Sequence, residues 1–355
     1  MSEEFDIKKW EELEGKGWDS LLLGNGASIA VSEKFCYGTL YEVAKKGESF
    51  GDIKKIFEKL KTKDFERALL ACWYAKVVNE SLGQSCEVVD QAYESIRGAL
   101  IETVKEVHPA HSDVAGYLQS IFEFMSCFSV VFSLNYDLIV YWAMMHGNGY
   151  IANCFKDCFL KDGRFDGDVD GIRKRYPSTS GEDTLVFYPH GNLVVAEDFF
   201  KGEFKIRVGG KIVPDDLLTT IGVKWKEGGL KPLFVSEGSS SEKLSSICRS
   251  PYLRFVYEKL IPSKVGDGLV VYGWGMHEND YHILEAVKLG GIKRVAVSVF
   301  RSEKALDYCH HVKSSLKKVG IDLEPDFFWS DSDGCWNNTK DHVSCFLSDR
   351  LTTSS

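Results

Sequence analysis

In the stretch Val130–Asp137 (VVFSLNYD) an apolar run ends on a carboxamide and a carboxylate two residues apart, Asn135 and Asp137. A carboxamide at a strand end can hold a ribose hydroxyl or a water, and a carboxylate beside it can orient it. Either residue could instead cap a helix starting near Leu138. In Leu185–Asn192 (LVFYPHGN), His190 stands between a proline and Gly191. That turn setting, away from any apolar stripe, predicts an exposed imidazole. A histidine titrates near neutrality and can take a proton from a ribose hydroxyl or a water.

Two further apolar runs end in glycine turns. Leu21–Ser28 (LLLGNGAS) carries Gly24 and Gly26, with Asn25 and Ala27 between and after them and Ser28 in the first turn of an expected helix. Glycines there let backbone approach a diphosphate, and a helix N-terminus offers N–H donors. The third glycine of the dinucleotide fingerprint is missing, because Ile29 occupies its place. Leu269–Asp280 (LVVYGWGMHEND) carries Gly273, Trp274 and Gly275, then Asn279 and Asp280 where the next helix is expected to start and be capped. A tight structural turn is the competing explanation for both glycine pairs.

These residues need elements to hold them. Short, continuous apolar runs occur at Ser20–Leu23, Ser129–Phe132, Leu185–Tyr188, Pro232–Val235, Leu269–Tyr272, Val295–Phe300 and Asp326–Trp329. Unbroken apolarity suits strands covered on both faces of a parallel sheet. Helical spacing lies between several of them, including a stripe of Val88, Ala92, Ile96 and Leu100, and a helix over Ser302–Val319 stopped by Gly320. The expected fold is α/β, a Rossmann-like, mostly parallel sheet with helices on both faces. Roughly 80 residues of helical pattern separate the first two strands, more than a crossover needs, so residues 45–126 read as a helical subdomain inserted in one domain spanning 1–355. If the four loaded strands are parallel neighbours, their ends converge on one crevice, where ligands of open α/β sheets bind.

The totals narrow the function. Net charge is −9, from 43 basic and 52 acidic residues, which argues against a direct nucleic-acid binder. The ten cysteines are scattered, Cys154 and Cys158 being the closest pair, and no CxxC occurs, so no zinc ribbon or other metal site is expected. Asp162, Asp166, Asp168 and Asp170 lie in a Gly-rich excursion whose spacing does not match a calcium loop. The charged start MSEEFDIKKW has no signal-peptide pattern, and no apolar run reaches the ~18 residues of a membrane span. A cytoplasmic protein with reduced thiols is expected.

Taken in order, the four strand ends resemble the sirtuin-like family. Gly24–Ser28 is similar to its first nucleotide loop, Asn135-Tyr136-Asp137 to its Asn-x-Asp element, His190-Gly191 to its His-Gly pair, and Gly273–Asp280 to the late loop of its bacterial branch. Leu233–Leu260 also resembles a segment of bacterial sirtuin-like proteins. Two features depart from the family. The four-cysteine zinc module is absent, so protein deacylation is not expected, and Gly275 stands where a serine is usual. The resemblance implies a zinc-free NAD glycohydrolase that needs no cofactor and takes NAD as substrate. It implies Asn135 and His190 as catalytic, Asp137 as an orienting group, and Gly24–Ser28, Gly191, Gly273–Gly275 and Asp280 as nucleotide-binding. It further implies an anti-phage effector, a homo-oligomer or one switched on by a protein partner or phage component. A non-catalytic sensor of NAD or ADP-ribose is the alternative.

Overall fold

The structure, a computed structural model, describes residues 5–36, 39–47, 50–175, 177–179, 181–198, 202–206, 216–227, 230–235 and 238–338. Cys345, and Ser236 of the loop read at Ser236–Ser241, lie outside the described residues.

The strands are β1 (Ile7–Lys8), β2 (Ser20–Leu23), β3 (Val130–Ser133), β4 (Phe155–Lys156), β5 (Thr184–Phe187), β6 (Gly191–Asp198), β7 (Gly202–Lys205), β8 (Lys231–Phe234), β9 (Gly268–Tyr272), β10 (Arg294–Val299) and β11 (Asp326–Trp329). Eight of them form one sheet in the order β1-β11-β10-β9-β2-β3-β5-β4. Every pairing within it is parallel. The strands β2, β3, β5 and β9 are buried along their whole length, as their unbroken apolar sequence requires.

The order fixes where a ligand can sit. From β2 the chain passes to β3 and β5 on one side, and β9, β10 and β11 follow on the other. The strand order therefore reverses at β2, the topological switch point where a crevice opens beyond the carboxyl ends of the strands. The four strands that carry the candidate residues are contiguous, β9-β2-β3-β5. The condition set for their convergence, that the four strands be parallel neighbours, is met.

The helices between β2 and β3 are α1 (Asn25–Val31), α2 (Leu40–Ala44), α3 (Phe50–Leu60), α4 (Phe65–Ser81), α5 (Glu87–Val107), α6 (His111–Val114) and α7 (Leu118–Met125). Those that follow are α8 (Ile139–Tyr150), α9 (Val169–Arg175), α10 (Asp216–Glu227), α11 (Ser240–Arg249), α12 (Pro251–Phe255), α13 (Ile261–Lys264), α14 (Tyr281–Leu289) and α15 (Ala305–Val319). Helix α15 ends where expected, on Gly320 at φ 81°. The stripe on α5 holds only in its second half. Ile96 and Leu100 are fully buried, whereas Val88 is 77% exposed, because the α4–α5 hairpin extends past the core at that end.

Two expectations about strands need correction. Pro232–Val235 does not join the parallel sheet. As β8 it pairs antiparallel with β6, which also pairs antiparallel with β7, in a separate three-stranded sheet. Unbroken apolarity reports burial on both faces, and cannot tell a parallel sheet from a covered antiparallel one. Strand β6 itself starts at Gly191, where the sequence suggested only a turn. The aspartate-rich excursion is built from side-chain turns. Asp166 accepts from the Asp168 N–H at 3.0 Å and Asp168 from the Gly171 N–H at 2.9 Å.

Candidate functional site

At the end of β3, Asn135 is 7% exposed. Its Nδ2 donates to the Gly24 carbonyl and to Ser28 Oγ, both at 2.9 Å. Ser28 Oγ in turn donates to Asp137 Oδ2 at 2.5 Å. The other oxygen of Asp137 accepts the Ile139 N–H at 2.9 Å, so it caps the start of α8. Both simple readings of Asp137 hold together: one oxygen caps a helix and the other fixes a hydroxyl. With both oxygens engaged, Asp137 acts on the site through Ser28. Burial pushes its carboxyl above the usual value, against the pull of the Ser28 and Ile139 hydrogen bonds. Asn135 keeps one polar atom in hand. Its Oδ1 makes no hydrogen bond to any described residue, and it is not among the fully enclosed unpaired atoms.

His190 is 4% exposed, which overturns the exposed turn histidine that its sequence context suggested. The turn is folded inward because β6 begins at once and docks on β8. The Val235 N–H donates to the His190 carbonyl at 2.7 Å, and α14 covers the ring. Gly191 makes this route possible. It has φ 77°, and a Cβ there would lie 2.1 Å from the Leu233 carbonyl oxygen. Beyond it, Asn192 Nδ2 donates to the Asp137 carbonyl at 2.6 Å, and the Leu193 N–H to the Tyr136 carbonyl at 2.8 Å. These bonds clamp the His190 turn against the Asn135–Asp137 segment.

The glycine turns prove to be packed on one another. The Gly24 N–H donates to the Tyr272 carbonyl at 3.0 Å and the Gly26 N–H to the Gly273 carbonyl at 2.7 Å. Gly273, at φ 65°, has no room for a side chain, since a Cβ would lie 2.2 Å from Ala27 N. Backbone packing between β2 and β9 is thus one reason for these glycines, and two of the N–H groups expected to serve a ligand are spent on it. Gly26 and Gly273 nevertheless border a cavity of about 760 Å³, within the range of small-molecule sites. Trp274, Gly275, Ser298 and Tyr117 also line it, the last from the helical stretch between β2 and β3. Asn25 donates from Nδ2 to the Phe35 carbonyl at 3.4 Å, and Ala27 accepts the Trp336 indole N–H at 2.8 Å. Gly275 gives its carbonyl to His311 Nε2 at 3.0 Å.

Asp280 was expected to cap the next helix. It stands at the N-cap of α14, but its side chain makes no capping bond. The carboxylate turns back to Lys243 Nζ at 2.8 Å and lies 4.0 Å from His190 Nε2. Burial alone would raise Asp280, but its neighbours His190 and Lys243 outweigh it and hold the carboxyl below its usual value.

Three residues of this group were not among the candidates taken from the sequence: Ser240, Lys243 and His282. His282 Nε2 lies 2.9 Å from His190 Nε2, and its Nδ1 lies 3.1 Å from Ser240 Oγ. Burial holds His190 well below the ordinary histidine value and His282 down at about 4, so both are neutral at neutral pH. His282 sits among apolar residues at the start of α14, where periodicity assigns it to the core; the spacing Asp280-x-His282 was the available clue.

His190, Asp280 and His282 offer ligand atoms within 4.8 Å of one another, which raises the question of a metal. The residues around them do not fit one. The Lys243 ammonium already neutralises Asp280. The two imidazole nitrogens, 2.9 Å apart, sit closer than the about 3.3 Å that two ligands of a tetrahedral zinc would keep.

Among the described residues, no helix is long and apolar enough to cross a membrane. The family described as a domain of unknown function, DUF4917, matches residues 21–336, and the chain belongs to it. A comparison with curated proteins found no match.

Proposed function

We propose that this DUF4917 protein is a glycohydrolase that cleaves NAD to nicotinamide and ADP-ribose at the carboxyl ends of β2, β3, β5 and β9. The observation that carries this reading is that Asn135 and His190 follow the carboxyl ends of the neighbouring strands β3 and β5, next to the switch point. Each is buried and held by neighbours, yet keeps one polar atom free of any described partner, Oδ1 of Asn135 and Nδ1 of His190. Neither atom is fully enclosed, so a ligand can reach both. The resemblance of the four strand ends to the sirtuin-like family supplies the substrate.

In this mechanism the adenosine half of NAD occupies the cavity beside Gly26, Gly273 and Trp274. The nicotinamide ribose lies over Asn135. Loss of nicotinamide leaves oxocarbenium character on the ribose, and water attacks that carbon. Asn135 Oδ1 positions the ribose hydroxyl or the water, and His190 takes the proton. Ser28 and Asp137 keep the carboxamide in place. Nicotinamide departs as a neutral group, so positioning and a dry setting suffice for the chain's own part.

The same proposal includes a cytoplasmic, anti-phage role, with turnover held back until a protein partner or phage component acts. A homo-oligomer belongs to it as well. Leu82 and Val88, exposed at the α4–α5 tip, offer the insertion apolar surface for a second copy.

The competing reading is a non-catalytic sensor of NAD or ADP-ribose, favoured by the fact that Nε2 of His190 is already engaged. Substitution separates the two. As a hydrolase, Asn135→Ala and His190→Ala lose turnover and still bind nucleotide. As a sensor, both variants change affinity alone and the parent protein releases no nicotinamide.

A further inference from the structure

The His190 side chain makes its hydrogen-bond contact with the described residues through one ring nitrogen. Nε2 faces His282 Nε2 at 2.9 Å, while Nδ1 makes no hydrogen bond to any described residue and is not among the fully enclosed unpaired atoms. Behind His282, a single oxygen receives two contacts. Ser240 Oγ accepts the His282 backbone N–H at 3.0 Å and lies 3.1 Å from its Nδ1. A hydroxyl oxygen has two acceptor lone pairs, so it can take both N–H groups of His282 at once.

We propose that His190 acts through Nδ1, and that His282 is the positioning residue that accepts the His190 Nε2–H and so fixes both the ring and its tautomer. The protons then run in one direction. His282 Nδ1–H points to Ser240 Oγ, the lone pair of His282 Nε2 receives the His190 Nε2–H, and the remaining lone pair on His190 Nδ1 is left for a ligand. When Nδ1 takes a proton, one O–H bond of the ribose hydroxyl or water breaks and one N–H bond forms. The imidazolium that results has the Asp280 carboxylate 4.0 Å from its Nε2, and Lys243 holds that carboxylate in place at 2.8 Å. The groups facing the pair are therefore Asp280 and Lys243, with the Tyr257 ring 6.1 Å from His282. Burial keeps both histidines neutral in the resting protein, as a base and its acceptor must be.

The catalytic consequence rests on the proposed glycohydrolase reading; the tautomers do not. Full-length protein labelled with nitrogen-15 at histidine reports them directly in long-range proton–nitrogen spectra near pH 7.5, with no substrate present. The expected result is His190 protonated on Nε2 and His282 on Nδ1. His190 found protonated on Nδ1 would overturn the proposal. Titration with zinc chloride is part of the same experiment. Stoichiometric loss of both imidazole signals, reversed by a chelator, would replace the hydrogen-bonded pair with a metal site.

Two variants give the second readout. His282→Leu removes the acceptor and is expected to leave His190 as a mixture of tautomers. His282→Gln, whose carbonyl oxygen can accept, is expected to restore the Nε2–H form. If NAD is cleaved, His282→Leu lowers kcat by about tenfold or more with KM little changed, because a base in the wrong tautomer loses most of its contribution. Gln recovers part of that loss. Equal behaviour of Leu and Gln in the nitrogen spectra would contradict the assignment even if neither enzyme form turns over.

Discussion

Asn135 Nδ2 lies 2.9 Å from Ser28 Oγ, a contact that ties the end of β3 to the first helix after β2 across 107 residues of sequence. Ser28 in turn donates its hydroxyl hydrogen bond to Asp137 at 2.5 Å, so three residues from two strand ends are linked as one unit. This unit is the means by which the fold fixes a carboxamide whose oxygen remains free.

The first prediction follows from that unit. Ser28→Ala leaves Asp137 Oδ2 without its buried donor and Asn135 without one of its two acceptors. Loss of a partner for a buried polar group costs roughly 1–3 kcal/mol. Urea unfolding is expected to show a loss of that size. Nicotinamide release should fall further than the stability change explains, because Asn135 loses its alignment.

Gly191 gives a prediction about folding alone. With φ 77° and a Cβ position 2.1 Å from the Leu233 carbonyl oxygen, Gly191→Ala must push β6 away from β8. A strained backbone position of this kind costs on the order of 1–3 kcal/mol before the clash is counted. Thermal denaturation of the variant is expected to show a marked drop, whereas Gly98→Ala, on a helix face with open space around the site, should stabilise slightly.

Acid should weaken the protein before its carboxylates titrate. Burial holds His108 and His282 down at about 4, against an ordinary 6.5. As pH falls through 6.5 the unfolded chain takes up protons that the folded one refuses, so stability falls, and the loss is complete near pH 4. His108 alone accounts for roughly 3 kcal/mol, at about 1.4 kcal/mol per tenfold change in proton affinity. Asp137, whose carboxyl burial raises, works in the opposite sense at the acid end. Urea midpoints at pH 7.5 and pH 5 test this, with the lower pH expected to be clearly less stable.

The nucleotide half of the account is tested in the cavity. Ala30 is exposed on α1 and lines that cavity beside Gly26, so Ala30→Trp should fill it without disturbing the core. Calorimetric titration is expected to show NAD affinity reduced by about tenfold or more, since a blocked pocket removes the burial on which ligand affinity depends. An unchanged affinity would move the adenosine half elsewhere.

The parts of this molecule legible in sequence are those governed by local patterns. Runs such as Ser20–Leu23 and Asp326–Trp329 announce strands, and each became one with the expected bounds, the first buried throughout and the second at Phe327 and Phe328. Asn135, Asp137 and His190 were found because polar residues directly follow such runs. What the sequence hid depends on contacts between distant segments. Nothing local shows that Pro232–Val235 would pair with β6, or that Asp280 would turn from capping α14 to meet Lys243. The burial of His190 comes from α14, 92 residues onward, which also brings His282.

The most direct test is nicotinamide release from NAD by the purified protein, followed across a range of protein concentrations beside His190→Ala. The account predicts release by the parent protein, rising in specific activity as concentration promotes assembly, and none by the variant. Release that persists undiminished in His190→Ala, or a parent protein that neither binds nor cleaves NAD, would contradict it.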